Sequence, residues 1–284
     1  MATLLDIRRR IRSVKSTQQI TRAMKMVAAA RLRRAQERVI SARPYANQML
    51  ALLSSVAARI EDRVHPLLAE RPVEKVLVVL ITADRGLCGA FNTNLIRAAQ
   101  NYVSDHTSQR VSLITVGRKG RDYFRKRPVT IVAEHVNFFG RLEFAHAREI
   151  ARQIVELYAQ QTVDAVEFIY NDFKSVMTQR LIVARILPIK PLKLPEGHVV
   201  IDYIYEQPPE EILNSLLPRF VEVEVYRALL ESQAAELAAR MTAMDSATNN
   251  ASDLIDSLTL HMNRVRQAAI TREIIEVVSG AAAT

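Results

Sequence analysis

Glycine and proline are missing where most chains of this size would spend them. The 61 residues from Arg219 to Ser279 contain neither, and Pro44 is the only one of either kind in the first 65 residues. Both ends of the chain therefore lack the usual punctuation of turns and breaks. A single cysteine, Cys88, excludes an internal disulfide framework and leaves the redox compartment undefined. No apolar run approaches the length of a membrane span, and no signal-peptide core follows the first Met. The six His are scattered, with no pair three or four apart on a helix and no Cys partner, which gives metal binding little support. There is no G-x-G-x-x-G fingerprint and no phosphate loop with its Lys and Ser/Thr.

What is present is periodicity. Helical throughout, the run from Arg219 to Ser279 would extend roughly 90 Å at about 1.5 Å per residue, longer than a compact domain of this mass is wide. It is expected to project from the core. Leu230, Ala234, Leu237, Met241, Met244, Thr248, Ala251, Ile255, Leu258, Met262, Val265 and Ala269 alternate steps of four and three. That is the seam of a left-handed coiled coil, and a seam needs a partner.

The first segment offers one. Leu4, Ile7, Ile11, Val14, Thr17, Ile20, Met24 and Val27 step by three and four with one stutter, and Ala35, Val39, Ala42, Ala46, Met49, Leu53 and Val56 form a strict heptad. Thr3 with Asp6 makes a capping box, and Pro44 is expected to do no more than kink the helix. Two narrow stripes at the two ends of one chain pair most simply with each other, antiparallel. The alternative is that each pairs with a copy of itself, but small seam residues such as Ala and Thr suit a close-packed hairpin.

The rest is an ordinary composition with 49% hydrophobic, 24% charged and 6% aromatic residues, enough for one proper core. Its charge is unevenly placed. Residues 1–43 hold twelve Lys or Arg against Asp6 and Glu37, a net of +10, and because the whole chain is +9 the other 241 residues sum to −1. An Arg-rich, acid-poor start can be a transit peptide, but this pattern runs unbroken to Pro44 and matches the opposite terminus, as a disposable leader need not.

Between the helices the period changes to 2. Val76–Ile81 is a buried-type strand, followed by the loop Thr82–Asn92 and a helix to about Asp105; Val111–Val116 repeats the strand and Gly117–Gly120 the turn, before a short helix over Asp122–Arg127. A strand over Val129–Val136, a helix from about Leu142 to Gln160 and a strand over Val163–Tyr170 continue the alternation. The turn Asn171–Ser175 returns Val176–Leu187 as an antiparallel neighbour. The expected fold class is α/β plus coiled coil: a long antiparallel coiled coil of N- and C-terminal helices with a central Rossmann-like five-stranded α/β domain. The expected segments are 1–65 (N-terminal helix), 72–190 (central domain), 191–208 (a connecting foot) and 209–284 (C-terminal helix). Pro208 and Pro209 with Glu210 and Glu211 start that last helix, and Pro218 is expected to bend it.

The loop TADRGLCGAFN stands where a doubly wound sheet would place a ligand. Gly86 and Gly89, or Gly117 and Gly120, give only G-x-x-G spacing, so tight turns with close packing are the favoured reading over a phosphate site. Cys88 reads as a small buried residue, and Glu222 and Glu224 cannot share one helical face as an acid and base pair. The basic first helix admits three readings. It could be a solvated face, a nucleic-acid reader, or a surface that docks against an acidic protein partner. Residues 1–44 hold no aromatic to stack on bases, and the basic residues interleave with the seam instead of preceding it, which counts against nucleic acid.

The segments STQQITRAMKMVAAARLRRAQ, TADRGLCGAFN and RQAAITREIIEVVSGAAA, in this order and spacing, resemble the gamma subunit of the F-type ATP synthase over essentially the whole chain. The resemblance implies a non-catalytic central rotor shaft in a proton-translocating complex, with no cofactor or metal of its own and no nucleic-acid partner. Its terminal helices would turn inside a ring of alpha and beta subunits, while the α/β domain binds the epsilon subunit and the c-subunit ring. Met24 and Lys25, with Arg240 on the opposite helix, match positions set against an acidic loop of a beta subunit. Gln267, Thr271 and Glu273 match residues that hydrogen-bond a catch loop of beta. Tyr203, Tyr205 and Glu206 match the foot that meets epsilon and the c ring. Plant chloroplast members carry an inserted regulatory dithiol, which one Cys and no insertion do not reproduce. The expected location is peripheral, on the cytoplasmic side of a bacterial plasma (inner) membrane, ahead of a mitochondrial matrix.

Overall fold

The computed structural model describes residues 3–57, 65–190 and 209–282. Its elements are α1 (Leu4–Ala57), a short 3-10 turn at Pro66–Leu68, β1 (Lys75–Ile81), α2 (Phe91–Asp105), β2 (Arg110–Val116), α3 (Arg118–Phe124), β3 (Thr130–His135), a 3-10 turn at Phe139–Arg141, α4 (Phe144–Ala159), β4 (Ala165–Phe173), β5 (Gln179–Leu187) and α5 (Pro209–Ala282). Contacts divide the chain into two units, one of residues 1–29 with 240–284 and one of residues 30–239.

The larger unit is organised on one sheet of order β3-β2-β1-β4-β5. β1 pairs in parallel with β2 on one side and β4 on the other, β2 pairs in parallel with β3, and β5 is antiparallel to β4. The central strand KVLVVLI is buried from Val76 to Ile81, because helices cover both faces of a parallel sheet. The order is that of a Rossmann-like half, and right-handed crossovers put α2 and α3 on one face and α4 on the other.

The turn expected at Asn171–Ser175 lies further along. Asn171, Asp172 and Phe173 are paired with Leu181, Arg180 and Gln179 as the end of β4, and the reversal is closed by the Lys174 and Ser175 amides donating to Thr178 O at 3.3 and 3.1 Å. Polar side chains that read as turn formers are here buried at a strand end, where side-chain partners satisfy Asp172.

Within this unit α5 is covered on more than one side. The seam residues Leu230, Ala234 and Leu237 are buried, but so are Val221, Val225, Leu229, Ala235 and Ala238 on other faces. On the α4 side, Phe144 meets Tyr226 edge-on at 5.3 Å and Arg148 lies 3.9 Å from Glu222. This part of the long glycine- and proline-free run belongs to the core instead of projecting from it, since a helix apolar all round must be enclosed. The helix also continues through Pro218 without a break.

The smaller unit is a two-helix coil. Thr21 faces Thr248 and Lys25 faces Asp245, so residue numbers run in opposite senses and the helices are antiparallel. The α5 seam is buried or partly buried from Met241 to Val265. In α1 the register differs from the expected one. Thr17 is exposed, Ile20 is 57% exposed and Val27 53% exposed, whereas Gln18, Thr21, Lys25 and Ala28 turn inward. No stutter is needed. The steps Ile7, Ile11, Val14, Gln18, Thr21, Lys25, Ala28, Leu32, Ala35, Val39, Ala42, Ala46, Met49 and Leu53 alternate four and three throughout. Apolar Ile20 and Val27 lie on the outer face, while Thr21 and Ala28 are small enough to fit where the helices come close.

Candidate partner-contact surfaces

The capping box forms as the residues require, with Asp6 N donating to Thr3 Oγ1 at 3.3 Å and Thr3 N to Asp6 Oδ2 at 3.1 Å. The Thr3 hydrogen bonds hold the Asp6 carboxyl below its ordinary range. From here the exposed face of α1 is basic. Arg8, Arg9, Arg10, Arg12, Lys15, Arg22, Arg31 and Arg34 are exposed and enter no ion pair among the described residues.

The seam below carries two polar layers. Thr21 Oγ1 and Thr248 Oγ1 lie 2.8 Å apart, and each also reaches back to its own helix, to Gln18 O at 3.0 Å and Met244 O at 2.7 Å. A hydroxyl has one proton, so one threonine donates across the seam while the other donates along its helix. One layer on, Lys25 Nζ donates to Asp245 Oδ1 at 2.5 Å, with side chains 42% and 47% exposed. Met24 is partly buried beside it, and Arg240 is partly buried further along α5.

Beyond Val265 the coil has run out, since α1 begins at Leu4. Every residue from Arg266 to Ser279 is exposed, among them Ile270, Ile274, Ile275, Val277 and Val278, with Val277 at 72%. Ala269 is exposed as well, so the inward seam ends one step before its expected close. Gln267, Thr271 and Glu273 lie on this segment, Thr271 Oγ1 donating to Gln267 O at 2.9 Å. An exposed apolar segment on a helical end is a surface built to be covered by a partner. Tyr203, Tyr205 and Glu206 lie outside the described residues.

The loop after β1 is tied to the segments that follow β2 and β3. Asp84 Oδ1 accepts from the amides of Arg118 at 3.1 Å and Asn137 at 3.0 Å, and Asn92 Oδ1 accepts from Ala83 N at 2.9 Å. Lys119 N donates to Ala83 O at 3.1 Å and Gly120 N to Thr82 Oγ1 at 2.9 Å. The first three amides of α3, which a phosphate would use, are thereby taken. Gly117 has φ +94°, and a Cβ there would stand 2.1 Å from Thr82 O. Close packing accounts for Gly117 and Gly120 and a left-handed turn for Gly89, and Cys88 is buried.

Sequence reasoning missed one ionic cluster, in the larger unit. Arg43 of α1 donates from Nε to Glu231 Oε1 at 2.9 Å and from Nη2 to Glu231 Oε2 at 3.1 Å. The bond to Glu231 raises the Arg43 pKa above its ordinary value. Close by on α5, burial pushes the Glu224 carboxyl up despite Arg227 at 3.0 Å, and burial likewise raises the Tyr170 phenol. In the sequence Glu231 is an acidic residue one step from a seam position, Leu230, and nothing local marks it off from Glu224 or Glu236.

A helical pair with a basic face and an uncovered apolar end, carried on the same chain as a Rossmann-like unit, defines a class of protein made to sit inside an assembly. The sequence pattern describing ATP synthase matches residues 3–284. The ATP synthase gamma chain of Solibacter usitatus is 56% identical, covering 100% of this chain and 99% of the relative, and that of Chloroherpeton thalassium is 50% identical, covering 99% and 98%. Among solved structures, a chain of the central stalk and c-ring of Tetrahymena thermophila mitochondrial ATP synthase is similar at TM-score 0.62 and 27% identity, over 80% of this chain and 99% of that one. A chain of the OSCP/F1/c-ring assembly of the Euglena gracilis mitochondrial enzyme shares the fold at TM-score 0.70 and 21% identity, over 99% and 94%. This chain belongs to the ATP synthase gamma chain family.

Proposed function

We propose that this chain is the central rotor shaft of a proton-translocating F-type ATP synthase, coupling rotation of a c-subunit ring to conformational change in catalytic beta subunits. The observation that carries the reading is the uncovered apolar end of α5, which continues past the start of α1 with every side chain from Arg266 to Ser279 exposed. A ring of alpha and beta subunits would supply the missing cover. The shaft contributes no catalytic group of its own. It acts by differential contact: a basic face presented to one beta subunit and not to the next favours different conformations, and the difference in contact free energy is what changes nucleotide affinity.

In this reading Met24, Lys25 and Arg240 meet an acidic loop of a beta subunit, and Gln267, Thr271 and Glu273 hydrogen-bond a second loop of beta at the uncovered end. Tyr203, Tyr205 and Glu206 contact the epsilon subunit and the c ring. The chain is held peripherally at the cytoplasmic face of a bacterial plasma membrane through those partners. In support, no helix among the described residues is long and apolar enough to cross a membrane.

Because Cys88 is buried, a thiol introduced at Ile275→Cys is selectively addressable. In the assembled complex, paired with a cysteine introduced on the facing surface of a beta subunit and treated with a mild oxidant, it should form a disulfide to the alpha and beta ring and stop turnover until reduced. Absence of any cross-link to those subunits, with turnover intact, would count against the reading.

A further inference from the structure

In the larger unit, four side chains of the helical pair hydrogen-bond to the backbone of the sheet domain. From α1, Arg38 Nη1 donates to Leu142 O at 3.1 Å and Arg43 Nη2 to Phe173 O at 2.7 Å. From α5, Gln233 Nε2 donates to Phe139 O at 2.6 Å, and Glu231 Oε2 accepts from Phe173 N at 3.1 Å. Arg43 and Glu231 are bonded to each other as well, so the two helices and both polar groups of one residue at the end of β4 close into a single ring of hydrogen bonds. Asp172 flanks it, 3.9 Å from Arg43 and 2.9 Å from Lys174.

The chemistry is costly for mere adhesion. The Glu231 side chain is 4% exposed, and removing a carboxylate from water costs several kcal/mol that an apolar pair of equal volume would avoid. What an apolar contact lacks is direction: burial is insensitive to small slides and rotations, whereas a hydrogen bond weakens steeply as its angle departs from linear. Gripping peptide groups adds to this, because a backbone carbonyl or amide cannot swing away as a rotamer does.

We propose that Arg43 and Glu231, closed on the backbone amide and carbonyl of Phe173, form the torque joint of this protein, a clamp that stops the helical pair from turning against the sheet domain under load. Arg38 and Gln233 are its outer ties. All four are positioning residues, acting on the angle of the helices and not on any reacting atom. The proposal rests on the shaft reading above.

The test uses the assembled complex in vesicles, comparing wild type with the double variant Arg43→Met, Glu231→Leu and with Gln233→Leu, which leaves the Arg43–Glu231 pair intact. The expected result is assembly and ATP hydrolysis within about twofold of wild type, proton pumping per ATP reduced several-fold in the double variant, and angular fluctuations of the rotor at least doubled in variance. Gln233→Leu should broaden the angle by a smaller amount, which keeps the proposal testable if the double variant does not fold. Hydrogen exchange at the Phe173 amide should accelerate about tenfold or more in the double variant. Unchanged pumping and angular width in a folded double variant, or in Gln233→Leu where only that variant folds, would overturn the joint while leaving the shaft intact. A wild-type complex that hydrolyses ATP without rotation would overturn the shaft reading and the joint with it.

Discussion

Lys25 of α1 and Asp245 of α5 meet across the coil at 2.5 Å, each with nearly half its side chain in solvent. An exposed pair of this kind contributes about 0.5 kcal/mol and is weakened by salt, so it does not hold the coil together. Lys25 has three N–H donors and spends one on Asp245, leaving the ammonium able to meet an acidic partner outside. Lys25→Glu should therefore leave assembly largely intact while lowering the protons pumped per ATP. Coupling equal to wild type in that variant would remove Lys25 from the working surface.

Gly117 tests the close packing of the turn after β2 against the loop after β1. With φ at +94° and a virtual Cβ 2.1 Å from Thr82 O, Gly117→Ala should destabilise the full chain by at least about 2 kcal/mol. Gly120→Ala meets Thr82 Oγ1 at 3.0 Å without a left-handed φ and should cost less. Denaturant unfolding of the two variants orders them; equal stability would mean the turn is not close-packed.

Glu224 gives the larger unit a pH dependence. Burial outweighs Arg227 and raises its pKa, so above the ordinary carboxylate range the folded chain keeps a proton the unfolded chain has lost. From this group, stability falls as pH climbs from that range to the raised value and is level beyond it. Glu224→Gln should flatten the thermal midpoint against pH above the ordinary carboxylate range. An unchanged slope would place the titration elsewhere.

Much of this was legible in the residues. The apolar run of β1, the turn glycines and the α5 seam from Leu230 to Val265 each follow one local rule, whether central-strand burial, close backbone approach or heptad spacing. The first half of the α1 seam was less legible because Gln18, Thr21 and Lys25 face inward while Ile20 and Val27 face out. In an assembly the outer face also needs apolar residues, so hydrophobicity alone cannot tell the seam from the bearing surface. The Arg43 and Glu231 pair was invisible for another reason: its members stand 188 residues apart, and only the fold brings them to Phe173.

The uncovered end of α5 separates folding from function. A chain ending at Arg266 loses only residues that are exposed where described, so its thermal midpoint should stay within a few degrees of the full chain. The assembled complex should nonetheless generate less torque, because the covered length of shaft is shorter. A large fall in midpoint would show that the segment folds back on its own chain.

The most direct measurement is rotation itself. With the alpha and beta subunits fixed to a surface and a probe attached to the sheet domain of this chain, ATP should drive stepwise, one-directional turning of the probe. ATP hydrolysis at the normal rate with the probe stationary would contradict the account.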